Sequence, residues 1–222
     1  MKMQHFVVQV ANEHHLHYAD LICNEMESSA KARGTGIAKR TPEYIRLKML
    51  EGKAVIALSK TGEWAGFCYI ETWSHGNYVA NSGLIVSPNF RKSGLATEIK
   101  KKIFELSRTK YPEAKIFGLT TGLAVMKINS DLGYEPVTYS ELTQDEAFWK
   151  GCQSCVNFEI LKSKDRKNCL CTAMLYNPAE KNKPRWFDFV SKQKVMERLL
   201  RIKQTNFLKK LKIKKEEPIN SL

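Results

Sequence analysis

The order of apolar and polar residues predicts an alternation of strands and helices that ends near residue 176. Alternating or continuous apolar runs predict strands, and apolar residues spaced three and four apart predict helices. Strands are expected at residues 5–10, 54–58, 64–73, 78–86, 115–120, 134–139 and 169–176. Helices are expected at residues 13–32, from residue 42 onwards, at 94–110 and at 123–132. This order predicts an α/β domain.

The second helix has a clear start signal. Thr41 is expected at the N-cap, because its side-chain oxygen can accept a first-turn N–H. Pro42 suits the first helical position, where an N–H has no partner within the helix. In the third helix, an apolar stripe predicts the buried face, formed by Leu95, Ile99, Ile103 and Leu106. Lys100, Lys101 and Arg108 are expected nearer the solvent-exposed side of that helix.

The most informative stretch is residues 83–98, GLIVSPNFRKSGLATE, in which an apolar strand meets a turn and then a helix. The first N–H groups of a helix have no partner within it, and the helix dipole favours negative charge there. Gly94 lets a ligand approach the backbone, and the small side chain of Ala96 keeps the helix entrance clear. The stretch therefore predicts an anion site.

The run Val86-x-Pro88-x-x-Arg91-x-x-Gly94-x-Ala96 resembles the acyl-CoA pyrophosphate arm of the GCN5-related N-acetyltransferases (GNATs). The resemblance covers about residues 1–176, and the later pair Gly133-Tyr134 also fits it. It implies a mixed, mostly antiparallel sheet flanked by helices, in which the fourth and fifth strands splay apart and pantetheine lies between them. The implied reaction is attack of an amine on the thioester of acetyl-CoA, the expected co-substrate.

Length, composition and charge limit how many domains the chain can form and where they end. Its 222 residues allow one domain plus an appendage, and no signal peptide or membrane span is recognisable, so the cytoplasm is the expected compartment. Of the net charge of +13, residues 178–222 contribute +8, with thirteen basic residues against five acidic ones. We therefore expect an acyltransferase domain at residues 1–177, with an insertion at 141–168, and a basic helical tail at 178–222.

The resemblance implies how the co-substrate is held. Backbone amides of residues 92–97 would surround the pyrophosphate, with Arg91 or Lys92 adding charge, and pantetheine would pair with the fourth strand. The expected cofactor-binding residues are Leu84, Ile85, Val86, Arg91, Lys92, Ser93, Gly94, Leu95, Ala96, Thr97 and Asn129. The alternative is a structural strand-turn-helix with an exposed basic turn.

An amine needs help to lose its proton near neutral pH. If residues 74–77 join a hairpin, Trp73 pairs with Tyr78, and Glu71 lies opposite Ala80, near the region where family members often carry a glutamate base. Glu71 is therefore the preferred base, with His75 second because of its pKa range. The alternative for Glu71 is a solvated or ion-paired strand glutamate.

Many family members carry a tyrosine four residues before the glycine of the Gly-Tyr element, where it protonates the departing thiolate. Here that position is Asn129, which can donate a hydrogen bond but cannot act as an acid. Another group or water must then protonate the sulfur, or the thiolate leaves unassisted.

The loop at residues 31–40 joins the first two helices and, in such folds, borders the acceptor pocket. Its cations Arg33, Lys39 and Arg40 favour a small amine that carries carboxylates, such as glutamate. A resemblance to bacterial acetyltransferases associated with arginine biosynthesis points the same way. The alternative is a basic loop without a substrate role.

Four cysteines bracket the predicted insertion. Cys152-x-x-Cys155 and Cys169-x-Cys171 are compatible with a structural zinc site, since Cys169 and Cys171 would face the same side of a strand. The alternative is a set of buried thiols without metal.

The sequence is also compatible with other functions and partners. The acceptor is expected to be a small amine, and a protein or peptide amine is the alternative within the same fold. A non-catalytic acyl-CoA-binding module is a further alternative. The basic tail is compatible with nucleic acid, a membrane surface or packing on its own domain, and a homodimer is also open.

Overall fold

The computed structural model describes residues 6–32, 34 and 39–181. The chain divides into two units, residues 1–179 and residues 180–222, and the second lies almost entirely outside the described residues. The predicted basic helical tail, residues 178–222, therefore lies outside them from residue 182 onwards. The strands are β1 Phe6–Val10, β2 Ala54–Ser59, β3 Trp64–Trp73, β4 Tyr78–Val86, β5 Lys115–Thr120, β6 Glu135–Val137 and β7 Thr172–Tyr176. The helices are α1 Ala19–Ala32, α2 Pro42–Leu50, α3 Leu95–Lys110, α4 Leu123–Asp131, α5 Glu146–Lys150, α6 Phe158–Ser163 and α7 Pro178–Lys181.

The seven strands form one sheet in the order β1-β2-β3-β4-β5-β7-β6. All neighbouring pairs are antiparallel except β4 and β5, which run parallel. Helices α1 and α2 pack on one face with Phe67 and Tyr69, and α3 packs on the other with Cys68 and Ile70. The expected mixed, mostly antiparallel sheet flanked by helices is confirmed. No helix in the described ranges is long and apolar enough to cross a bilayer.

Local signals set several of these boundaries. Thr41 caps α2 by accepting a hydrogen bond from the Tyr44 N–H at 3.3 Å, and Pro42 is the first helical residue, as predicted. The predicted helix at residues 13–32 begins instead as a 3₁₀ turn at Glu13–Tyr18 before α1. Strand β6 is shorter than expected, and it lies at the sheet edge, where Pro136 costs no ladder hydrogen bond.

Two expectations are wrong, one about the placement of a side chain and one about the start of a strand. Lys100 is 2% exposed on the buried face of α3, although it was expected near solvent. Leu95, Ile99, Ile103 and Ser107 recur every four residues as one buried row, and Lys100, three residues before Ile103, lies beside that row. The other error concerns β7, which begins at Thr172 and not at residue 169.

A β-bulge interrupts β4 beside the third strand. Phe67 pairs with Ile85 and Tyr69 with Ser82, so β4 has one extra residue over this step. Gly83 lies in the bulge with φ of +65°. A Cβ added there would overlap the ring of Tyr69 and approach Met26 Cε to 2.8 Å. Glycine is therefore required here for both backbone conformation and space.

Replacing Gly83 with alanine is expected to destabilise the fold by roughly 3 kcal/mol, the sum of left-handed strain and steric overlap. Gly62→Ala is the matched control, since Gly62 has φ of +83° and open space around it. It should cost only about 1 kcal/mol. Equal losses for the two variants in chemical denaturation would show that the overlap with Tyr69 has no effect.

Candidate active site

The site is organised by a gap between β4 and β5. The two strands pair only at Tyr78–Lys115, Val79–Ile116 and Ala80–Phe117. Beyond Ala80, β4 continues to Val86 without a partner on this side, while β5 continues paired with β7 alone. One edge of β4, including the predicted residues Leu84, Ile85 and Val86, therefore faces the gap. An extended ligand can pair with such an edge.

The gap leads to the N-terminus of α3. Gly94 occupies the N-cap with φ of +88° and provides no side-chain cap, and a Cβ added to it would meet no atom within 4 Å. Ser93 Oγ donates to the Phe90 carbonyl at 2.6 Å, and the Leu95 N–H donates to Ser93 Oγ at 3.4 Å. The Thr97 N–H donates to the Gly94 carbonyl at 2.9 Å, so the part of the helix start that is open to a ligand is the backbone at Gly94.

The side chain of Arg91 is used differently from the expectation. Its guanidinium donates to Glu25 Oε1 at 2.9 Å and to Ser29 Oγ at 2.6 Å on α1. Its Nε also donates to the Val86 carbonyl at 3.2 Å. Arg91 therefore ties the turn to α1 and to the end of β4. The neighbouring Lys92, which is exposed and has φ of +62°, is the cation of this turn better placed to meet an anion.

Glu71 lies on β3 at the face covered by α2. It is paired with Ala80 and Trp73 with Tyr78, which is the register that the hairpin turn predicted. Tyr44 donates its hydroxyl to Glu71 Oε1 at 2.7 Å, and Ser82 donates to Oε2 at 2.7 Å. The carboxylate is only 13% exposed, so both donors act in a largely desolvated place.

Arg40 completes this cluster. Its Nη2 lies 3.5 Å from Glu71 Oε1, its Nε donates to the hydroxyl of Tyr69, and its Nη1 donates to the Lys39 carbonyl at 3.1 Å. The guanidinium also lies over the rings of Tyr44 and Tyr69, 5.9 and 5.8 Å from their centroids. Arg40 is therefore held within the protein and orients Glu71.

Burial and neighbouring groups shift the pKa values of Arg40 and Tyr44 in this cluster. Burial alone would lower the pKa of Arg40, but the neighbouring Tyr69 and Glu71 outweigh burial, and the pKa is raised. Burial and the adjacent Glu71 raise the pKa of Tyr44 above its ordinary value. Its hydroxyl therefore remains a donor to the carboxylate at physiological pH.

The remaining predicted acceptor residues lie at the rim. Lys39 is exposed, and its N–H donates to Ser154 Oγ at 3.3 Å, which links the α1–α2 connection to the insertion. Arg33 lies outside the described residues. The structure does not bring His75 to Glu71: it is exposed at the tip of the β3–β4 hairpin, with φ of +56°. His75 lies in the 3₁₀ turn Ser74–Gly76, beyond the end of β3.

Asn129 is 1% exposed near the end of α4. Its Nδ2 lies 3.8 Å from Met174 Sδ and 3.7 Å from the point where Gly118 would carry a Cβ. Its Oδ1 has no hydrogen-bond partner. Since Gly118 is the first residue of β5 beyond the pairing with β4, Asn129 lies at the opening of the gap.

The structure does not support the predicted zinc site. Cys152, Cys155, Cys169 and Cys171 lie close enough that charge on one raises the pKa of another, but in the described part of the chain no three His, Cys, Asp or Glu side chains form a group that could hold a metal. Cys169 and Cys171 precede β7, so the expected strand geometry is absent. Burial raises the pKa of Cys152 to about 11 and that of Cys171 to about 12, so both stay protonated thiols.

The insertion itself encloses a cavity of about 690 Å³ with an aromatic and aliphatic floor. Two of its polar groups are paired within the insertion: Trp149 Nε1 donates to the Thr143 carbonyl at 3.1 Å, and Arg166 binds both carboxylate oxygens of Glu146.

Comparison with known proteins shows what this arrangement is similar to. Residues 23–124, just under half of the chain, match the model of the acetyltransferase (GNAT) family. This region is therefore similar in sequence to GNAT acetyltransferases. No curated protein sequence matches the chain significantly.

Solved structures share the fold of this domain at low sequence identity. An N-acetylglutamate synthase from Neisseria gonorrhoeae, complexed with coenzyme A and N-acetyl-glutamate, has a TM-score of 0.55 at 14% identity, covering 79% of this chain but only 36% of that protein. Rv2747 from Mycobacterium tuberculosis, in complex with CoA, has a TM-score of 0.55 at 15% identity, with 77% and 98% coverage. A GNAT-family acetyltransferase from Staphylococcus aureus Mu50 has a TM-score of 0.53 at 11% identity, with 78% and 99% coverage.

Sequence reasoning missed the residues that hold Glu71. Tyr44 is on α2 and Ser82 is on β4, so their meeting depends on how the helix crosses the sheet. Ser82 had a usable signal, because it lies two residues from Ala80, and alternate residues of a strand share a face. Tyr44 and Tyr69 gave no signal beyond apolar spacing.

Removing the Tyr44 hydroxyl should destabilise the domain, because Glu71 Oε1 would lose a hydrogen-bond donor in a desolvated place. We expect Tyr44→Phe to lower the free energy of unfolding by about 2 kcal/mol. The control is Tyr18→Phe, which removes an exposed hydrogen bond of 2.6 Å to the Gly62 carbonyl and should cost about 0.5 kcal/mol. Equal losses in urea titrations would contradict a special role for the Tyr44–Glu71 bond.

Proposed function

We propose that the protein transfers an acetyl or similar acyl group from coenzyme A to the amine of a small acceptor that carries carboxylates, such as an amino acid. The observation that carries this proposal is the gap in the sheet. The unpaired edge of β4 leads from the Glu71 cluster to the uncapped N-terminus of α3. One extended ligand with an anionic end fits both features, and coenzyme A has this chemistry.

In this proposal the co-substrate lies along β4. Its pantetheine pairs with the free edge of residues 84–86, and its pyrophosphate meets the N–H groups at the start of α3 and the side chain of Lys92. The acyl group then reaches the gap near Ser82 and Asn129. The unpaired Oδ1 of Asn129 is an acceptor for an N–H of the pantetheine arm.

The acceptor amine approaches from the face of Glu71. Its nitrogen attacks the thioester carbonyl, and its proton passes to Glu71 directly or through one water. Tyr44, Ser82 and Arg40 fix the carboxylate before the substrate arrives, so little reorganisation is needed at the moment of transfer.

Two observations support a small carboxylated acceptor over a protein or peptide amine. The link from Lys39 to Ser154 brings the insertion against the α1–α2 connection, which narrows the approach to Glu71. Lys39 remains exposed at this rim as a partner for a carboxylate. One structural relative is complexed with N-acetyl-glutamate, which favours the same class of acceptor.

Release of free coenzyme A thiol should require an acceptor, and amino acids should serve better than peptides that carry a lysine. The experiment offers acetyl-CoA and succinyl-CoA with a panel of amines. Lys39→Ala should raise KM for the carboxylated acceptor about tenfold with little change in kcat, since a charged contact contributes about 1.5 kcal/mol.

Lys60→Ala, at the exposed turn between β2 and β3, is the control for that variant. Binding of coenzyme A without turnover across the whole panel would favour a non-catalytic acyl-CoA-binding module. Preference for peptide amines, with an unchanged KM in Lys39→Ala, would favour a protein acetyltransferase.

Glu71→Gln should lower kcat roughly 10²-fold near neutral pH, because the amide cannot take a proton. The deficit should shrink as pH rises toward the pKa of the acceptor amine, since the amine then loses its proton without a base. The measurement is the pH profile of both proteins, with Glu63→Gln as a control at an exposed site. A variant profile parallel to that of the wild type would remove Glu71 as the base.

A further inference from the structure

Lys100 is a buried cation that the reaction described above does not use. It is 2% exposed in α3, and its Nζ lies 5.4 Å from the centroid of the Tyr134 ring. No carboxylate pairs with it anywhere in the described ranges. Lysine is rarely buried without a partner, because the charge loses its hydration. An isolated ammonium in the core therefore calls for a functional explanation.

The groups that face Lys100 are neutral. From β3 comes the thiol of Cys68, and burial raises its pKa to about 11. From the segment after α4 comes Tyr134, whose pKa burial also raises. Burial lowers the pKa of Lys100, and Cys68 would oppose this only as a thiolate. Tyr176 of β7 lies beside Tyr134, with ring centroids 6.1 Å apart.

The contacts place this cation beneath the gap. The hydroxyl of Tyr134 donates to Asn81 Oδ1 at 3.0 Å, and Asn81 is the first residue of β4 beyond the pairing with β5. The thiol of Cys68 donates to the Ser82 carbonyl at 3.3 Å, the next residue along β4. The two side chains that flank Lys100 therefore both reach the point where the strands separate.

We propose that Lys100 donates the proton that the coenzyme A sulfur takes up when the thioester bond breaks. This inference rests on the proposed acyl transfer. It gives Lys100 the role of general acid, which the amide of Asn129 cannot fill. The acceptor nitrogen forms a bond to the carbonyl carbon, the C–S bond breaks, and its electron pair goes to sulfur. The N–H proton of the acceptor goes to Glu71, and the ammonium proton goes to sulfur. Water then takes the proton from Glu71 and returns one to Lys100.

The acidities of the Lys100 ammonium and the coenzyme A thiol are suited to proton transfer between them. The reference pKa of a thiol is about 8.5 and that of lysine about 10.4, so an ordinary ammonium is a weak acid toward a thiolate. A lysine with a lowered pKa is closer to the thiol, and transfer between near-matched groups is efficient. Before transfer, the ammonium also stabilises negative charge as it develops on sulfur.

The decisive variant is Lys100→Met, which keeps the length of the side chain and removes its charge. Coenzyme A is bound to wild type and variant, and its thiol is titrated by the ultraviolet absorbance of the thiolate. An adjacent cation lowers a thiol pKa by about one unit or more, so the pKa of the bound thiol should rise by that amount in the variant. With acetyl-CoA and an acceptor, kcat should fall roughly 10²-fold, and the loss of rate at high pH should disappear.

Lys101→Met, on the exposed neighbour, is the control and should titrate like the wild type. An unchanged thiol pKa in Lys100→Met would overturn the proposal. Failure of wild type, Lys101→Met and Lys100→Met alike to bind coenzyme A would instead overturn the proposed function. The thiol titration needs no acceptor, so an unidentified acceptor does not affect it.

The thermal stability of Lys100→Met shows whether a loss of activity could come from a folding defect. The pKa of Lys100 is lowered in the folded protein, so unfolding takes up a proton at pH values between the lowered and the ordinary pKa. Wild-type stability therefore rises with pH through that window. Lys100→Met should melt about 2–4 °C above wild type at neutral pH, and the difference should shrink toward pH ~10. A variant that melts well below wild type would show that Lys100 is needed for folding and would refute an uncompensated buried ammonium.

Discussion

The structure depends on the loss of pairing between β4 and β5 after Ala80. Backbone N–H and C=O groups inside a protein need partners, so a strand that loses its neighbour in mid-sheet must be compensated or must await a ligand. At the first residue after the separation, the side chain of Asn81 anchors β4. It donates to Ser107 of α3 at 2.7 Å and accepts from Tyr134 at 3.0 Å. These bonds fix the β4 side of the opening to α3 and to the segment after α4.

The bulge in β4 lies in the part of the strand that has lost its pairing with β5. The bulge residue Gly83 lies three residues after Ala80, and the bulge shifts the register of β4 against β3. Ser82 thereby donates to Glu71 while its carbonyl accepts from the thiol of Cys68 on the opposite face. One irregular step of backbone thus connects the two faces of the sheet at the gap. This explains why a glycine with positive φ is found inside a strand, where it is otherwise unfavourable.

Much of this could be predicted from the sequence because the relevant signals are local. The order of elements follows from periodicity, and the register of Glu71 opposite Ala80 follows from a short turn. Thr41-Pro42 fixes the start of α2 through hydrogen-bond requirements that involve neighbouring residues. The opening between β4 and β5, by contrast, was implied by the resemblance to a family and not by periodicity.

The errors concern contacts between distant segments. Lys100 looked exposed because a charged residue beside Lys101 normally is, and its burial depends on Tyr134 and Cys68, more than thirty residues away on either side. Arg91 and Arg40 looked like ligand-binding cations, and the structure gives them Glu25 and Glu71 as internal partners. The sequence shows the charges of these arginines but not which carboxylates the fold brings to them.

The fold treats the two buried charges at the gap in opposite ways. Glu71 receives two hydroxyl donors and a guanidinium, so its charge is stabilised before any substrate arrives. Lys100 receives an aromatic face and a neutral thiol, so its charge remains uncompensated. A carboxylate held in place suits a group that takes a proton from an incoming amine. An uncompensated cation suits a place where negative charge appears only during the reaction, because a permanent counter-ion there would cancel its effect. In acyl transfer from coenzyme A, sulfur is the atom on which that charge develops.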